Sequence, residues 1–276
     1  MILLAAAVLA GCGPEDEPLR KDVEAESRLD IRMRFWLAHE GNTRIRSMEQ
    51  EALAKGGTGR GTLFQYEDVE VEGYTPIPEL EARYVFGPHE VWGRMSTARR
   101  SEHIQLHAGL EFDGDLHVPG ESMQVRFEMT LIEAGYTYRV KAGDLEIRIG
   151  AEIAYWNWQA SFESFSGGET SDEVIPTVLA PVPTASLRWT LAEGIAWRSE
   201  ATMMYGLDLR RGLTFGQNGQ GILRLTSELE VSLGPVALLL GVGYSVQDSV
   251  SFEHRDEADL LNYRRAGASL GLEIRF

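Results

Sequence analysis

From about residue 30 onward the apolar positions recur at every second residue. Ile31, Met33, Phe35 and Leu37 alternate with Arg32, Arg34 and Trp36, and Leu145, Ile147, Ile149, Ala151 and Ile153 alternate with Glu146, Arg148, Gly150 and Glu152. The same spacing returns in Ile195 to Leu209 and in Leu223 to Leu233. Successive side chains of a strand point to opposite faces, so each segment has one apolar and one polar face. The pattern predicts an all-β chain.

Run length and connections narrow the architecture. Several alternating runs exceed the roughly ten residues that a tilted membrane strand needs. Tight turns are expected at 86–89, 140–144, 191–194 and 233–235, and longer polar connections at about 40–65, 98–120, 161–177, 210–220 and 247–259. Short and long connections alternate, as they do when one end of a barrel carries minimal turns and the other carries loops. Strands are expected near 31–39, 66–86, 90–112, 116–139, 143–160, 178–191, 195–210, 219–233, 235–248 and 260–276. That makes a closed antiparallel up-and-down transmembrane β-barrel of about ten strands, or eight if the first segment or 66–75 does not pair. In 116–139 the apolar set Met123, Val125, Phe127, Met129 gives way to Ala134, Tyr136, Tyr138, which predicts a β-bulge at 131–133. Pro181 and Pro183 each lack a ladder donor, and they suit an extension ahead of full pairing.

The closing segment puts Leu270, Leu272, Ile274 and the terminal Phe276 on one face. Leu272, Ile274 and Phe276 resemble the C-terminal insertion signal of bacterial outer-membrane barrels. Over residues 60–276 the chain is similar to the uncharacterised outer-membrane β-barrel proteins of Gram-negative bacteria. PIPELEARYVFGPHEVWGRMS, LEFDGDLHVPGESMQVRFEM, EAGYTYRV, DLEIRIGAEI, LAPVPTASLRW and GASLGLEIRF carry the likeness. These are strand-and-turn patterns, so the resemblance implies fold and compartment and no activity.

Composition agrees and excludes alternatives. A hydrophobic fraction of 43% rules out an intrinsically disordered chain. A net charge of −16 argues against nucleic acid as partner. One cysteine excludes a disulfide framework. Beyond the first dozen residues no apolar run reaches the roughly 18 residues of a spanning helix.

Residues 1–11 read as a signal peptide, 12–29 as a periplasmic tether and 30–276 as the barrel. Leu9-Ala10-Gly11-Cys12 resembles a lipobox, which would make Cys12 the acylated mature N-terminus; Val8-Leu9-Ala10 also suits an ordinary signal peptidase.

Inward parity carries charges of both signs: Arg126, Glu128, Glu146, Arg148, Arg198, Glu200, Arg224 and Glu228, with Arg32, Arg34, Glu81, Arg83, Glu152, Arg188, Glu273 and Arg275. Mixed charges in a narrow lumen pair and fill it, whereas a conduit favours one sign at a constriction. Asp113-Gly114-Asp115 with His117 reads as hairpin chemistry. Omptin proteases pair Asp with Asp-His to activate water, but the segment expected to hold the second pair, Leu207-Asp208-Leu209-Arg210, has no histidine. The strand-bound His-x-Ser of one lipid A deacylase class is also missing. His103 and His107 lie about 13 Å apart along a strand, too far for one metal ion.

The expectation is therefore a monomeric, non-enzymatic barrel of the cell outer membrane with both termini periplasmic. It would need no cofactor or metal and act through its outer loops as an envelope structural or surface-interaction protein. Its partners would be outer-membrane lipid, lipopolysaccharide and the outer-membrane assembly machinery. The alternatives are a narrow transporter or porin, or a barrel enzyme of omptin-like or lipid A-modifying type. If Cys12 is lipidated, mass spectrometry of the mature protein finds an acylated Cys12 at its start. An unmodified chain beginning at Gly11 excludes it.

Overall fold

The computed structural model describes residues 27–39, 44–46, 62, 64–65, 73–112, 115–165, 170–205, 221–251 and 259–276. Cys12, the signal peptide and most of the expected tether lie outside these residues. Ten long strands follow one another: β1 Ser27–His39, β2 Tyr74–Phe86, β3 His89–Gln105, β4 Ser122–Ala142, β5 Leu145–Ser164, β6 Thr170–Ala192, β7 Ile195–Tyr205, β8 Gly221–Leu233, β9 Val236–Ser251 and β10 Asp259–Arg275. Each pairs antiparallel with the next, and β10 returns to β1 in the register Phe35↔Leu270 and Met33↔Leu272. Closure satisfies the backbone of every strand and leaves no edge within the bilayer. The barrel starts at Ser27, ahead of the expected residue 30.

One end carries only tight turns, and each requires a glycine in the left-handed region: Gly87, Gly143, Gly194 and Gly234, with φ between 57° and 72°. The other end carries the long connections. Two described pieces of the first, Arg44–Arg46 and Phe64–Gln65, extend the sheet beside β10. Between β3 and β4, Leu110–Phe112 and Asp115–His117 pair as a small hairpin.

Around the turn-end half, apolar side chains point outward. Met33, Phe35, Leu37, Leu80, Met95, Ile132, Ile149, Ile153, Leu240, Val242, Leu270 and Leu272 are exposed and form the lipid-facing belt. Aromatic residues rim it near the turns. Tyr84, Phe86 and His89 stack at 5.8 and 5.3 Å, and His89 Nδ1 lies 2.6 Å from the Tyr136 hydroxyl. Such rings favour the membrane–water boundary.

The expected bulge at 131–133 is absent. Leu131, Ile132 and Glu133 pair in unbroken register with Ser96, Met95 and Arg94 on one side and with Trp156, Tyr155 and Ala154 on the other. Met123, Val125, Phe127, Met129 and Leu131 all point inward and are buried. The strand does not slip; its surroundings change. Towards the loop end the lumen is apolar and the outer face polar, so the apolar residues change sides while the ladder continues. β5 behaves alike, with Trp156, Trp158, Ala160 and Phe162 buried inside and Gln159 exposed outside.

The real irregularities are in β6, between Leu179 and Val182 and between Thr190 and Ala192. Pro181 sits in the first. β6 pairs with β5 from Thr170, but with β7 only from Thr184. Pro176, Pro181 and Pro183 thus all precede the doubly paired part of the strand, where a missing N–H would break a ladder.

Leu272→Arg places a guanidinium on the lipid face at about 2–4 kcal/mol near mid-membrane. It should reduce the yield of assembled, heat-modifiable barrel, as should deletion of Phe276. Unchanged migration and membrane yield would exclude a lipid-facing role for this stripe.

Candidate functional site

Among the described residues, charged side chains collect in the lumen, which is filled at two levels. In the turn-end half, arginines and glutamates bond across the barrel as well as along its wall. Between neighbouring strands, Arg32 donates to Glu81 at 2.9 Å and Arg34 to Glu79 at 2.5 Å. Arg148 lies 2.6 Å from Glu146 on its own strand. Other pairs span the lumen between strands that are not neighbours. Arg83 and Arg94, from β2 and β3, reach Glu200 on β7 at 3.2 and 3.0 Å. Arg34 on β1 reaches Glu228 on β8 at 2.7 Å. Arg224 on β8 bonds Glu133 on β4, and Glu152 on β5 at 3.0 Å.

Carboxylates are shared. Glu81 serves Arg32, Arg34, Arg83 and Arg94; Glu230 serves Arg188, Arg198 and Arg275. The planar fork of arginine suits such shared, bidentate geometry. The Trp92 ring lies beneath two guanidinium groups, at 5.1 Å from Arg94 and 5.9 Å from Arg83. A side chain at Gly135 would strike that ring, since an added Cβ would come within 2.6 Å of it.

Towards the loop end the filling turns apolar. Trp156, Trp158, Phe127, Phe162, Met123, Leu131 and Ile77 pack inside the wall. The hairpin folds over them: Leu110 and Phe112 are buried, and the Phe112 ring lies 4.6 Å from Phe162. Thr62 pins it from the neighbouring connection, donating its amide to the Glu111 carbonyl and accepting the Glu111 amide on its hydroxyl, both at 2.9 Å. At the hairpin base burial pushes the Glu121 carboxyl up, yet hydrogen bonds from the Ser164 hydroxyl and the Val118 amide, with His117 beside it, hold it below the usual carboxylate range.

Among the described residues, cavities interrupt this filling, and two of them share no lining residue. One, of about 20 Å³, lies between Arg34, Trp36, Arg224, Glu228 and Arg265. The other, of about 150 Å³, opens at the turn end between Arg139, Lys141, Glu146, Arg148, Arg188 and Arg275.

Of the residues expected to form a lumen network, the structure brings together Glu146, Arg148, Arg198, Glu200, Arg224 and Glu228. Arg126 and Glu128 lie elsewhere. They occupy the outer face of β4 towards the loop end, with side chains 57% and 37% exposed, paired to Glu163 at 3.7 Å and Arg99 at 2.8 Å. Their displacement follows directly from the missing bulge. Sequence reasoning also passed over Glu79, Glu90, Arg94, Glu133, Arg139 and Glu230. Strict parity carried through β4 would have found Glu133 and Arg139. Leu272 is exposed on the outer face with Leu270, Ile274 is half-buried, and Phe276 is exposed at the turn end. Of the residues weighed for proteolysis, Asp113 and Asp208 lie outside the described residues. His117 is buried against Phe162 and Glu121, while His103 and His107 are exposed.

Removing one member of a buried pair strands its partner, at about 3–5 kcal/mol. Arg224→Met, which strands Glu152 while Glu133 keeps Arg94, should destabilise the barrel by that amount in urea unfolding from lipid vesicles. Arg99→Ala, at an exposed pair, should cost no more than about 1 kcal/mol. Equal effects would mean that the network contributes no more than a surface pair.

No protein-family model matches the sequence, and no curated protein does. Solved structures match by shape. The outer membrane protease OmpT of Escherichia coli is 8% identical at a TM-score of 0.54, over 90% of this chain and 97% of that one. The translocator domain of the autotransporter NalP from Neisseria meningitidis is 15% identical at a TM-score of 0.47, over 100% of this chain and 98% of that one. Ail, the attachment invasion locus protein of Yersinia pestis, is 12% identical at 0.40, over 91% and 99%. At such identities the likeness to OmpT extends to the fold alone: this chain is a closed antiparallel β-barrel of outer-membrane type.

Proposed function

We propose that the chain is an integral outer-membrane protein with a sealed lumen and no enzymatic activity, acting through its loop-end surface as an envelope structural or surface-interaction protein. The observation that carries this reading is the set of guanidinium–carboxylate bonds between non-neighbouring strands, Arg83 and Arg94 to Glu200 and Arg224 to Glu133, which occupy the space a solute would need. A selective conduit favours one sign of charge along an open path; here both signs neutralise each other, and an apolar layer with a folded-in hairpin lies above them. Ser27, where β1 begins, and Phe276 lie at the turn end, which fits the periplasmic side of a barrel whose long loops face outward. The apolar belt takes lipid. Exposed Arg99 and Arg126, on the outer face above that belt, offer guanidinium groups to lipopolysaccharide phosphates.

Planar-bilayer recording tests the sealed lumen. Purified barrel should give no unitary currents. Stable single-channel currents, abolished by substituting Arg148 or Glu200, would overturn the reading in favour of a narrow transporter. Cleavage of peptides or modification of lipid A by the purified barrel would overturn its non-enzymatic half.

A further inference from the structure

Arg265 stands apart from the arginine–glutamate network. Only 8% of it is exposed, and it donates a neutral hydrogen bond, from Nε to the Ser245 hydroxyl at 3.1 Å. Its Nη1 is buried without a protein acceptor, and so is the indole Nε1 of Trp36. Both side chains line the small cavity of about 20 Å³. The carboxylates that border this cavity are engaged elsewhere: Glu79 with Arg34 at 2.5 Å and Glu228 with Arg34 at 2.7 Å. Arg94 and Arg224 line it too, each tied to Glu133.

The cavity therefore has several guanidinium groups on its wall and one without a counter-charge. Arginine stays charged in proteins, so burial cannot be relieved by loss of a proton. An unpaired buried charge is costly, and a mobile ion of opposite sign is the remaining remedy. Size selects the ion. A space of about 20 Å³ takes a particle of water size or somewhat larger, so a monatomic anion is the ion that it admits most simply. Two N–H donors from different strands, Arg265 Nη1 and Trp36 Nε1, are the groups that would face it. The Trp36 ring owes its seat to Gly243, where an added Cβ would come within 2.8 Å of the ring.

We propose that this cavity is a binding site for a single halide ion, held by Arg265 and Trp36 inside the barrel. The site stands whether or not the barrel conducts.

Crystals of the full chain soaked in bromide should show an anomalous peak within hydrogen-bond distance of Arg265 Nη1. In solution, the unfolding midpoint of the wild type should be several degrees higher in chloride than in gluconate at equal ionic strength. Arg265→Gln should lose that difference, whereas Ser245→Ala, which keeps the guanidinium, should retain it. Density for water alone at Arg265, without an anomalous signal, would overturn the proposal. So would equal midpoints in the two salts for the wild type, or a chloride effect undiminished in Arg265→Gln. Should that variant fail to fold, the bromide peak in the wild type decides.

Discussion

Charge that cannot reach water has to be met within the protein, and that requirement shapes the whole interior. A barrel exposing its apolar face to lipid must turn its polar face inward, into a space too narrow to hydrate every charge. Glutamate and arginine from opposite walls then become each other's solvent. The pairing also ties the strands together at long range. A one-residue slip would carry each inward charge to the lipid face, and bonds such as Arg83 to Glu200 and Arg224 to Glu133 would be lost together. Desolvation makes such networks poor sources of net stability but effective at excluding alternatives.

Large side chains crossing a narrow lumen need room at the wall, which the sequence supplies with inward glycines. Gly135 lies under Trp92, Gly243 under Trp36 and Gly271 under Arg34. Where the network stops, the filling becomes Trp156, Trp158 and Phe162, capped by a hairpin whose own apolar residues complete the layer. The interior is polar where the exterior is apolar, and apolar where the exterior is polar.

Much of this was legible in the sequence. Period-two alternation, the alternation of tight turns with long connections and the apolar C-terminal stripe are local signals, and they led to the strand order, the closure and the lipid face. What they do not encode is which medium lies on each side of a strand. Alternation shows two faces; it does not say which is inside. In β4 the run from Met123 to Leu131 looks like a lipid stripe because, taken alone, it is indistinguishable from one, and a bulge was the natural way to join it to Tyr136 and Tyr138. That error moved Arg126 and Glu128 inward and hid Glu133. The isolation of Arg265 was equally invisible, because partnership across the lumen depends on the register of every strand between.

The change of faces along β4 and β5 divides the molecule between two solvents. Its loop-end half is built like a water-soluble protein, with a dry centre and a wet surface, while its turn-end half is built inside out. The first can collapse by the ordinary hydrophobic effect in an aqueous compartment. The second gains nothing from water and acquires its outer face only on meeting a bilayer. Outside a bilayer the same chain would thus bury its loop-end centre but leave its turn-end face in the wrong medium.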